Sequence, residues 1–303
     1  MAKQRAWLLD SSIYIFRAWF SMPDQWHTQD GSPLNAVYGY ANFLHDFVAQ
    51  TQPSPWIAAA FDESLGSCFR NEIFSGYKSS RALPDEALAF QLEACRTLTE
   101  LCGIPCYGGE RYEADDYLAT LARLARLQEL PVTVVTRDKD LGQLLVSERD
   151  EWWDFAANQT LDRTGFQTRF GVRPEQFADY LGLVGDKVDD IPGVPGVGAK
   201  TAAALISSLG GLEQIEQDMG RVSELPIRGA ARLQERLSEH WPQALLSRDL
   251  AQLDSEINEL KDLVEFSLVP ESTAEVADFL ASLGIGGPLV RRWRKLGVEV
   301  SGA

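Results

Sequence analysis

Three short apolar runs, each followed closely by an aspartate, are the feature that most constrains the fold of this chain. The runs and their aspartates are 7–9 with Asp10, 56–61 with Asp62, and 132–136 with Asp138. Between the runs lie segments whose apolar residues recur three and four positions apart, at about 33–49, 85–102 and 113–130. Buried strands that alternate with helices predict an α/β fold, with a central, mostly parallel sheet flanked by helices. Ligands bind such sheets beyond the carboxyl ends of the strands, where all three aspartates are expected to lie.

The second half of the chain has a different pattern, which predicts a helical region. Residues 173–184 indicate a helix that begins at Pro174, a Gly- and Pro-rich stretch follows, and helical patterns continue to about 255. The last forty or so residues are amphipathic as well. We therefore predict an α/β core over 1–170 and a helical region over 171–303, packed against each other. A helix–hairpin–helix is expected at about 184–210.

The net charge, taken alone, argues against nucleic acid as a partner. The chain has 44 Asp and Glu against 28 Lys and Arg, a formal net charge of −16, whereas proteins that bind polyphosphates are usually basic. The alternative is that some of the acids cluster to hold divalent cations. No apolar run approaches the ~20 residues that cross a bilayer, and no signal-peptide pattern is present. With four cysteines and no CxxC pair, we expect a cytoplasmic protein without membrane contact.

Acidic residues cluster at three places, each a predicted strand end or helix start. These are Glu113, Asp115 and Asp116; Asp138 and Asp140; and Asp186, Asp189 and Asp190. Interaction with the helix dipole would explain one or two acids in a first turn. Together with Asp10 and Asp62, however, up to ten carboxylates are involved, and like charges in one partly buried pocket cannot all stay ionised. Two or more Mg²⁺ or Mn²⁺ ions would relieve that conflict and are suited to phosphodiester hydrolysis.

A Gly- and Pro-rich hairpin at 191–206 is the most specific motif in the chain. Gly193, Gly196 and Gly198 allow a tight turn and close approach of the backbone to a ligand. The helix that follows presents its N-terminal N–H groups beside Lys200, an arrangement that can bind a DNA phosphate without reading sequence. The alternative is a plain corner between two helices.

A second candidate binding segment combines basic and aromatic residues. Arg70, Lys78 and Arg81 alternate with Phe69, Phe74 and Tyr77 shortly after Asp62. Positive charges and aromatic rings together can bind a single strand. A solvated loop with a few aromatic anchors is equally consistent with this pattern.

Many blocks of residues, in matching order over about 5–255, resemble the bacterial 5′-nuclease (flap endonuclease) family. That family includes the 5′–3′ exonuclease domain of DNA polymerase I and its stand-alone relatives. The blocks are LLDSS, GSPLNAVYGYANFL, AAAFDES, FRNEIFSGYKSSR, YEADDYLATLA, VVTRDKDLGQLL and FGVRPEQFADYLGLVGDKVDDIPGVPGVGAKTA. One position departs from the family pattern, because Asp190 stands where the family usually has asparagine.

The resemblance implies a metal-dependent 5′-flap endonuclease or 5′–3′ exonuclease that cuts DNA near junctions of single strand and duplex. The implied metal ligands are Asp10, Asp62, Glu113, Asp115, Asp116, Asp138, Asp140, Asp186 and Asp189. It also implies a helical arch at about 64–92 through which a 5′ strand passes, with Lys78 and Arg81 on the scissile phosphate. The implied catalytic set is then Lys78, Arg81, Asp138 and Asp140. At the hairpin, a K⁺ ion would be held against the duplex.

The expected DNA contacts extend over both halves of the chain. They are Arg70, Tyr77, Lys78, Arg81, Lys187, Gly193, Gly196, Gly198 and Lys200. Two other functions remain open at this point: a branched-DNA binding module of the same fold without activity, and a ribonuclease with the same metal chemistry. No obligate protein partner is expected.

Overall fold

The computed structural model of this chain describes residues 5–51, 55–64, 66, 68–264 and 269–301. Its centre is a six-stranded sheet of order β3-β2-β1-β4-β5-β6. All neighbouring strands run parallel except β5 and β6, which are antiparallel. The strands are β1 (Ala6–Asp10), β2 (Ile57–Ala60), β3 (Cys106–Tyr107), β4 (Val132–Val135), β5 (Glu151–Asp154) and β6 (Gln159–Leu161). The predicted α/β fold is confirmed.

The helices of the first half flank this sheet. They are α1 (Ser11–Ser21), α2 (Asn35–Thr51), α3 (Phe69–Ile73), α4 (Glu86–Leu101), α5 (Ala114–Leu127) and α6 (Arg163–Phe170). Of these, α2, α4 and α5 coincide closely with the three segments of helical periodicity, because each buries one apolar stripe against the sheet or a neighbouring helix.

The second half is helical throughout the described residues. Its helices are α7 (Phe177–Val184), α8 (Ala199–Leu209), α9 (Leu212–Gln217), α10 (Ala230–Glu239), α11 (Trp241–Ala251), α12 (Pro270–Ser282) and α13 (Pro288–Ser301). Short 3₁₀ helices lie at Asp140–Leu144, Pro174–Gln176 and Met219–Glu224. The predicted helix at 173–184 therefore starts with one 3₁₀ turn before α7. Among the described residues, no helix is long and apolar enough to span a membrane.

Successive residues of the central strand point to opposite faces of the sheet and join two different hydrophobic cores. Leu8 belongs to a core that includes the apolar face of α5 and reaches Phe177 of α7 and Ala244 of α11. Leu9 belongs to the other core, which contains the apolar faces of α2 and α4 and the buried Trp293 of α13. The helical region therefore shares both cores with the sheet, and it meets the first half where α7 contacts the segment Asp140–Leu144 and where α12 and α13 contact α4 and α2.

The described residues of the segment at about 64–92, where a helical arch is expected, are helical only in part. They comprise the short helix α3, a turn-rich loop over 74–85, and the first turns of α4. The loop contains Gly76 and Pro84 and no apolar repeat long enough to bury a helix face, whereas α4 packs against α2. This loop borders the cavity described next.

Candidate active site

One cavity of about 710 Å³ lies at the carboxyl edge of the sheet, and six of the predicted acids line it. Two predicted cations, Lys78 and Arg81, line the same cavity. The six acids are Asp10, Asp62, Glu113, Asp115, Asp138 and Asp189. Residues that are up to 179 positions apart in sequence, from Asp10 to Asp189, therefore share one space.

Sheet topology explains why these acids meet. Strand β1 lies between β2 and β4, with Asp10 beside Ala60 and Leu9 beside Val135. Asp10 ends β1, Asp62 follows β2 by two residues, and Asp138 follows β4 by three residues. Because neighbouring strands lie about 4.8 Å apart, the three carboxylates converge at one edge. Helix α5 packs against β1 and adds Glu113 and Asp115 from its N-terminus.

Thr136, which the sequence analysis did not single out, orders two of these acids. Its buried hydroxyl donates to Oδ2 of Asp10 at 2.7 Å and accepts the N–H of Asp138 at 2.9 Å. The second oxygen of Asp10 accepts the N–H of Ile13 and so caps α1. Asp62 is held likewise, since its Oδ1 accepts from Ser64 and its N–H donates to Ser12.

Burial and mutual repulsion act on the acids in the cavity. Burial, together with the nearby charge of Asp138, raises the pKa of Asp10 to about 7. The same two causes raise the pKa of Asp115 well above its ordinary value. Both side chains therefore hold protons more tightly than a free carboxylate does. Bound cations would relieve the underlying repulsion between the negative charges of the cavity.

Glu113 is in a different environment, because basic groups surround it. Its carboxylate accepts from Tyr77 Oη at 2.9 Å and pairs with Lys78 and, at 3.0 Å, with Arg70. Burial alone would raise the pKa of Glu113, but the charges of Lys78 and Arg70 more than offset it and lower that pKa. Glu113 is therefore ionised at neutral pH.

Arg70 is a structural residue, and the prediction that it contacts DNA is wrong. It is only 2% exposed. Its guanidinium binds both carboxylate oxygens of Asp116, at 2.7 and 2.8 Å, and the carbonyls of Leu250 and Gln252, both at 2.8 Å. It thereby ties α3 and α5 to the end of α11. Its interleaved position among aromatic residues was misread as a sign of exposure.

Two further predictions fail for the same reason. Asp116 is fully buried and lies outside the cavity, because Arg70 and the N–H groups of Glu113 and Asp254 occupy its carboxylate. It supports Glu113 and does not line the cavity. Tyr77 is also buried, with its hydroxyl on Glu113, so its ring is not available to stack on a base.

The remaining two predicted ligands lie outside the cavity lining and share one lysine. Lys139 Nζ is 3.0 Å from Oδ1 of Asp140 and also pairs with Asp186. Burial, and the nearby charge of Asp138, raise the pKa of Asp140 to about 7, although Lys139 opposes the shift. Asp189 has basic partners too, since Arg81 lies 2.6 Å and Lys78 3.8 Å from it.

The chemistry of these donors fits hard divalent cations, although the side chains are partly engaged with basic groups. Within the described ranges, no three acidic, histidine or cysteine side chains are close enough together to hold a metal as they stand. Lys78, Arg81 and Lys139 each pair with one or two of these acids. Oxygen-rich sites of this kind suit Mg²⁺ or Mn²⁺ when the acids exchange their basic partners for the metal ion.

The Gly-rich hairpin forms the turn between α7 and α8. Gly193 has a φ of +60°, and a Cβ there would lie 2.3 Å from the nitrogen of Gly185, so only glycine fits. Gly198 precedes α8, on whose exposed first turn Lys200 lies. Lys187 is exposed in the preceding turn.

Two side chains already bind carbonyls of this hairpin. Gln243 donates to the carbonyl of Gly193, and Arg236 donates to that of Gly196 at 3.3 Å. Sequence reasoning missed Arg236, although Arg232 and Arg236 lie four positions apart on α10, a spacing that places two cations on one helix face.

The cavity also has an apolar wall that sequence reasoning missed. Helix α1 contributes Phe16, Trp19 and Phe20, and the loop before α4 contributes Leu83 and Pro84. Phe20 is 81% exposed, which is unusual for such a large apolar side chain. The aromatic residues that recur along α1 could have indicated this wall, but in sequence they resemble the buried face of an ordinary core helix.

Comparison with known proteins covers nearly the whole chain. Residues 5–171 match the family model described as the 5′–3′ exonuclease N-terminal resolvase-like domain, and residues 172–274 match the 5′–3′ exonuclease C-terminal SAM fold. The chain is 41% identical to DNA polymerase I of Pseudomonas aeruginosa over 84% of this chain, and it spans only 28% of the length of that polymerase. It is 31% identical to a 5′–3′ exonuclease of Buchnera aphidicola, over 90% of this chain and 89% of that protein.

Solved structures show the same fold at low sequence identity. The bacteriophage T5 D15 flap endonuclease, in a complex with DNA and metal ions, aligns with a TM-score of 0.66 and 20% identity, over 99% of this chain and all of that one. The catalytic core of Rad2 in complex with DNA substrate aligns with a TM-score of 0.64 and 14% identity, over 98% and 92% of the two chains.

Proposed function

Because the chain belongs to the 5′–3′ exonuclease family of nucleases, we propose that it is a Mg²⁺-dependent, structure-specific 5′-nuclease. It would hydrolyse DNA phosphodiesters near junctions of single strand and duplex and release a 5′ flap or short 5′ products. The observation that carries the proposal is one cavity that is lined by six of the predicted acids together with Lys78 and Arg81.

The cavity acids would hold the divalent cations. Asp10, Asp62, Glu113, Asp115 and Asp138 supply one group of oxygen ligands, and Asp140, Asp186 and Asp189 extend it from Asp138. When bound, two such ions stabilise the negative charge of the phosphodiester transition state and lower the pKa of water. Mn²⁺ has the same ligand preference and is expected to substitute.

Lys78 and Arg81 would act directly on the phosphate. Both cations border the cavity, and both pair with its acids. A phosphate oxygen that enters the cavity offers these side chains a new anionic partner. Arg81, with a side chain 43% exposed, can make a two-pronged contact to it. Their charges would stabilise the transition state as well as the bound substrate.

The apolar wall and the hairpin would bind the nucleic acid on either side of the cut. Phe16, Trp19 and Phe20 offer faces on which unpaired bases can stack. On the duplex, the first turn of α8 with Lys200, together with Arg232 and Arg236 of α10, can contact phosphates without reading sequence. A K⁺ ion at this hairpin would need carbonyls other than those of Gly193 and Gly196, which have side-chain donors.

The test is cleavage of a labelled 5′-flap duplex in Mg²⁺ and in EDTA. We expect product only with Mg²⁺, and a loss of at least 10²-fold in rate for Asp138→Asn. Asp162→Asn is the matched control, since Asp162 caps α6 away from the cavity and asparagine caps equally well.

Three outcomes would contradict the proposal. Equally negligible product in Mg²⁺ and EDTA, with flap binding that persists in Asp138→Asn, would indicate a binding module without activity. Preferential cleavage of an RNA strand in direct competition would indicate a ribonuclease. Equal loss of rate in Asp138→Asn and Asp162→Asn would place the chemistry elsewhere.

A further inference from the structure

The loop that carries Lys78 and Arg81 is joined to the turn before the Gly-rich hairpin by backbone and side-chain hydrogen bonds. The N–H of Lys78 donates to the carbonyl of Asp189 at 3.0 Å. The N–H of Ser80 donates to Oδ2 of Asp190 at 2.8 Å. The guanidinium of Arg81 contacts Asp189 at 2.6 Å and the carbonyl of Val188 at 3.4 Å. The two segments are more than one hundred positions apart in sequence.

The backbone on both sides of this contact is in the left-handed region. Lys78 has a φ of +51° and Asp190 a φ of +55°, and neither is glycine. Asparagine and aspartate tolerate this conformation better than other side chains do, and such positions persist only where surrounding contacts hold them. The Asp190 side chain supplies one of those contacts through Ser80.

The turn that contains Asp190 is itself firmly placed. Asp186 and Ile191 exchange two backbone hydrogen bonds, of 2.8 and 2.9 Å, which close the turn. The hairpin follows directly, with Gly193 donating to Ser247 of α11. Asp190 therefore connects a rigid part of the helical region to a loop that has little regular structure of its own.

We propose that Asp190 is a positioning residue that holds the 77–81 loop so that Lys78 and Arg81 face the cavity. This inference rests on the proposed nuclease function. Asp190 is absent from the cavity lining, so it acts through the two basic residues and not on substrate. The required features are an oxygen acceptor for the N–H of Ser80 and tolerance of positive φ, both of which asparagine also provides.

The first test measures the contact itself, by hydrogen exchange of the full-length protein. In Asp190→Ala we expect amide exchange within 77–83 to be faster by about tenfold or more, because the Ser80 N–H loses its acceptor. Asp190→Asn should retain wild-type protection. The matched control is Asn158→Ala, since Asn158 is another non-glycine residue at positive φ (+49°) and lies exposed in the turn between β5 and β6. Unchanged exchange at 77–83 in Asp190→Ala overturns the proposal.

The second test separates positioning from general stability. Under single-turnover conditions we expect Asp190→Ala to slow flap cleavage about tenfold. Its Kd for flap DNA in Ca²⁺ should change less than twofold, and Asp190→Asn should restore the rate. In an Arg81→Ala background, the Asp190→Ala change should slow cleavage by a smaller factor than in wild type, because the loop then positions only Lys78.

Fully additive losses in the Arg81→Ala background, or equal losses in Asp190→Ala and Asn158→Ala, would overturn the proposal. If the wild-type protein cleaves no flap at all, the proposed nuclease function fails. The exchange experiment still decides whether Asp190 holds the loop, so the two failures are distinguishable.

Discussion

The hydroxyl of Thr136 donates a 2.7 Å hydrogen bond to Oδ2 of Asp10, and the hydroxyl oxygen of Thr136 accepts a hydrogen bond from the N–H of Asp138. One buried hydroxyl thus links the carboxyl ends of β1 and β4. Burial, and the nearby charge of Asp138, raise the pKa of the Asp10 carboxyl. The spacing of Asp10 and Asp138 is set by the strands and by Thr136 together.

Thr136→Val should weaken both the fold and the site. It leaves the half-buried N–H of Asp138 without its acceptor, and we expect the free energy of unfolding to fall by about 1–3 kcal/mol. Flap cleavage should slow as well, because Asp10 loses its orienting donor. Thr136→Ser retains the hydroxyl and is the control, measured by chemical denaturation and single-turnover cleavage. Indistinguishable valine and serine variants would show that this hydroxyl does not order the site.

Lys139→Met should make the protein more dependent on divalent cations. Lys139 neutralises Asp140 and Asp186, so its removal leaves like charges facing each other and lowers the Tm of the metal-free protein. A bound divalent cation no longer competes with an ammonium group, so the rise in Tm on adding Mg²⁺ should exceed that of wild type. Arg137→Met is the control, because Arg137 pairs with Asp154 instead. An equal Mg²⁺ effect in the two variants would argue against Asp140 and Asp186 as ligands.

Stability in EDTA should fall as the pH rises toward neutrality. Burial, and the charge of Asp138, raise the pKa of Asp10 from 3.8 to about 7, so the folded state binds a proton there that the unfolded state releases. The stabilisation from that proton is complete below about pH 3.8 and is lost as the pH rises through about 7. Asp140 acts in the same direction.

This pH effect can be measured as Tm between pH 5 and 8 in EDTA. Asp10→Asn removes one titrating group, so its Tm should vary less with pH than that of wild type, whereas Asp162→Asn should follow wild type. The pKa values of Glu113 and Asp186 are lowered, so these two groups lose their stabilising effect as the pH falls. That loss occurs only at pH values below the ordinary pKa of a carboxyl group, outside the range measured here. Parallel curves for wild type and Asp10→Asn would contradict the prediction.

Arg232→Gln with Arg236→Gln should weaken duplex binding in a salt-dependent way. Each lost phosphate contact reduces the slope of log Kd against log salt by about 0.9, so a reduction of one to two is expected. Binding in Ca²⁺ to a flap duplex provides the measurement. Arg221→Gln is the control, since Arg221 is exposed and pairs with Asp218. An unchanged slope in the double variant would remove α10 from the DNA-binding surface.

The sequence predicted the sheet and its main helices because their patterns are long and regular. The runs ending near Asp10, Asp62 and Asp138 became β1, β2 and β4, and the three periodic segments became α2, α4 and α5. Strands β3 and β6 have only two and three residues, too short for a pattern to show. They form because a neighbouring strand offers unpaired backbone groups.

The site could be predicted only in part, because charge partners are not visible in a sequence. The pattern of acids at strand ends correctly indicated a shared cavity. It did not show that Arg70 folds inward to Asp116, or that Lys139 lies between Asp140 and Asp186. These pairings join residues 46 and 47 positions apart and depend on tertiary packing. The hydrogen bonds of Thr136 to Asp10 and of Ser80 to Asp190 were missed for the same reason.

The most direct test of the account is a crystal of this protein soaked in Mn²⁺, examined by anomalous scattering. We expect at least one strong anomalous peak within the cavity, with oxygen ligands from among Asp10, Asp62, Glu113, Asp115 and Asp138 at about 2.1–2.2 Å. The peak should disappear in Asp138→Asn and persist in Asp162→Asn. A cavity without an anomalous peak, with Lys78 and Arg81 still paired to its acids at saturating Mn²⁺, would contradict the proposed metal-dependent nuclease.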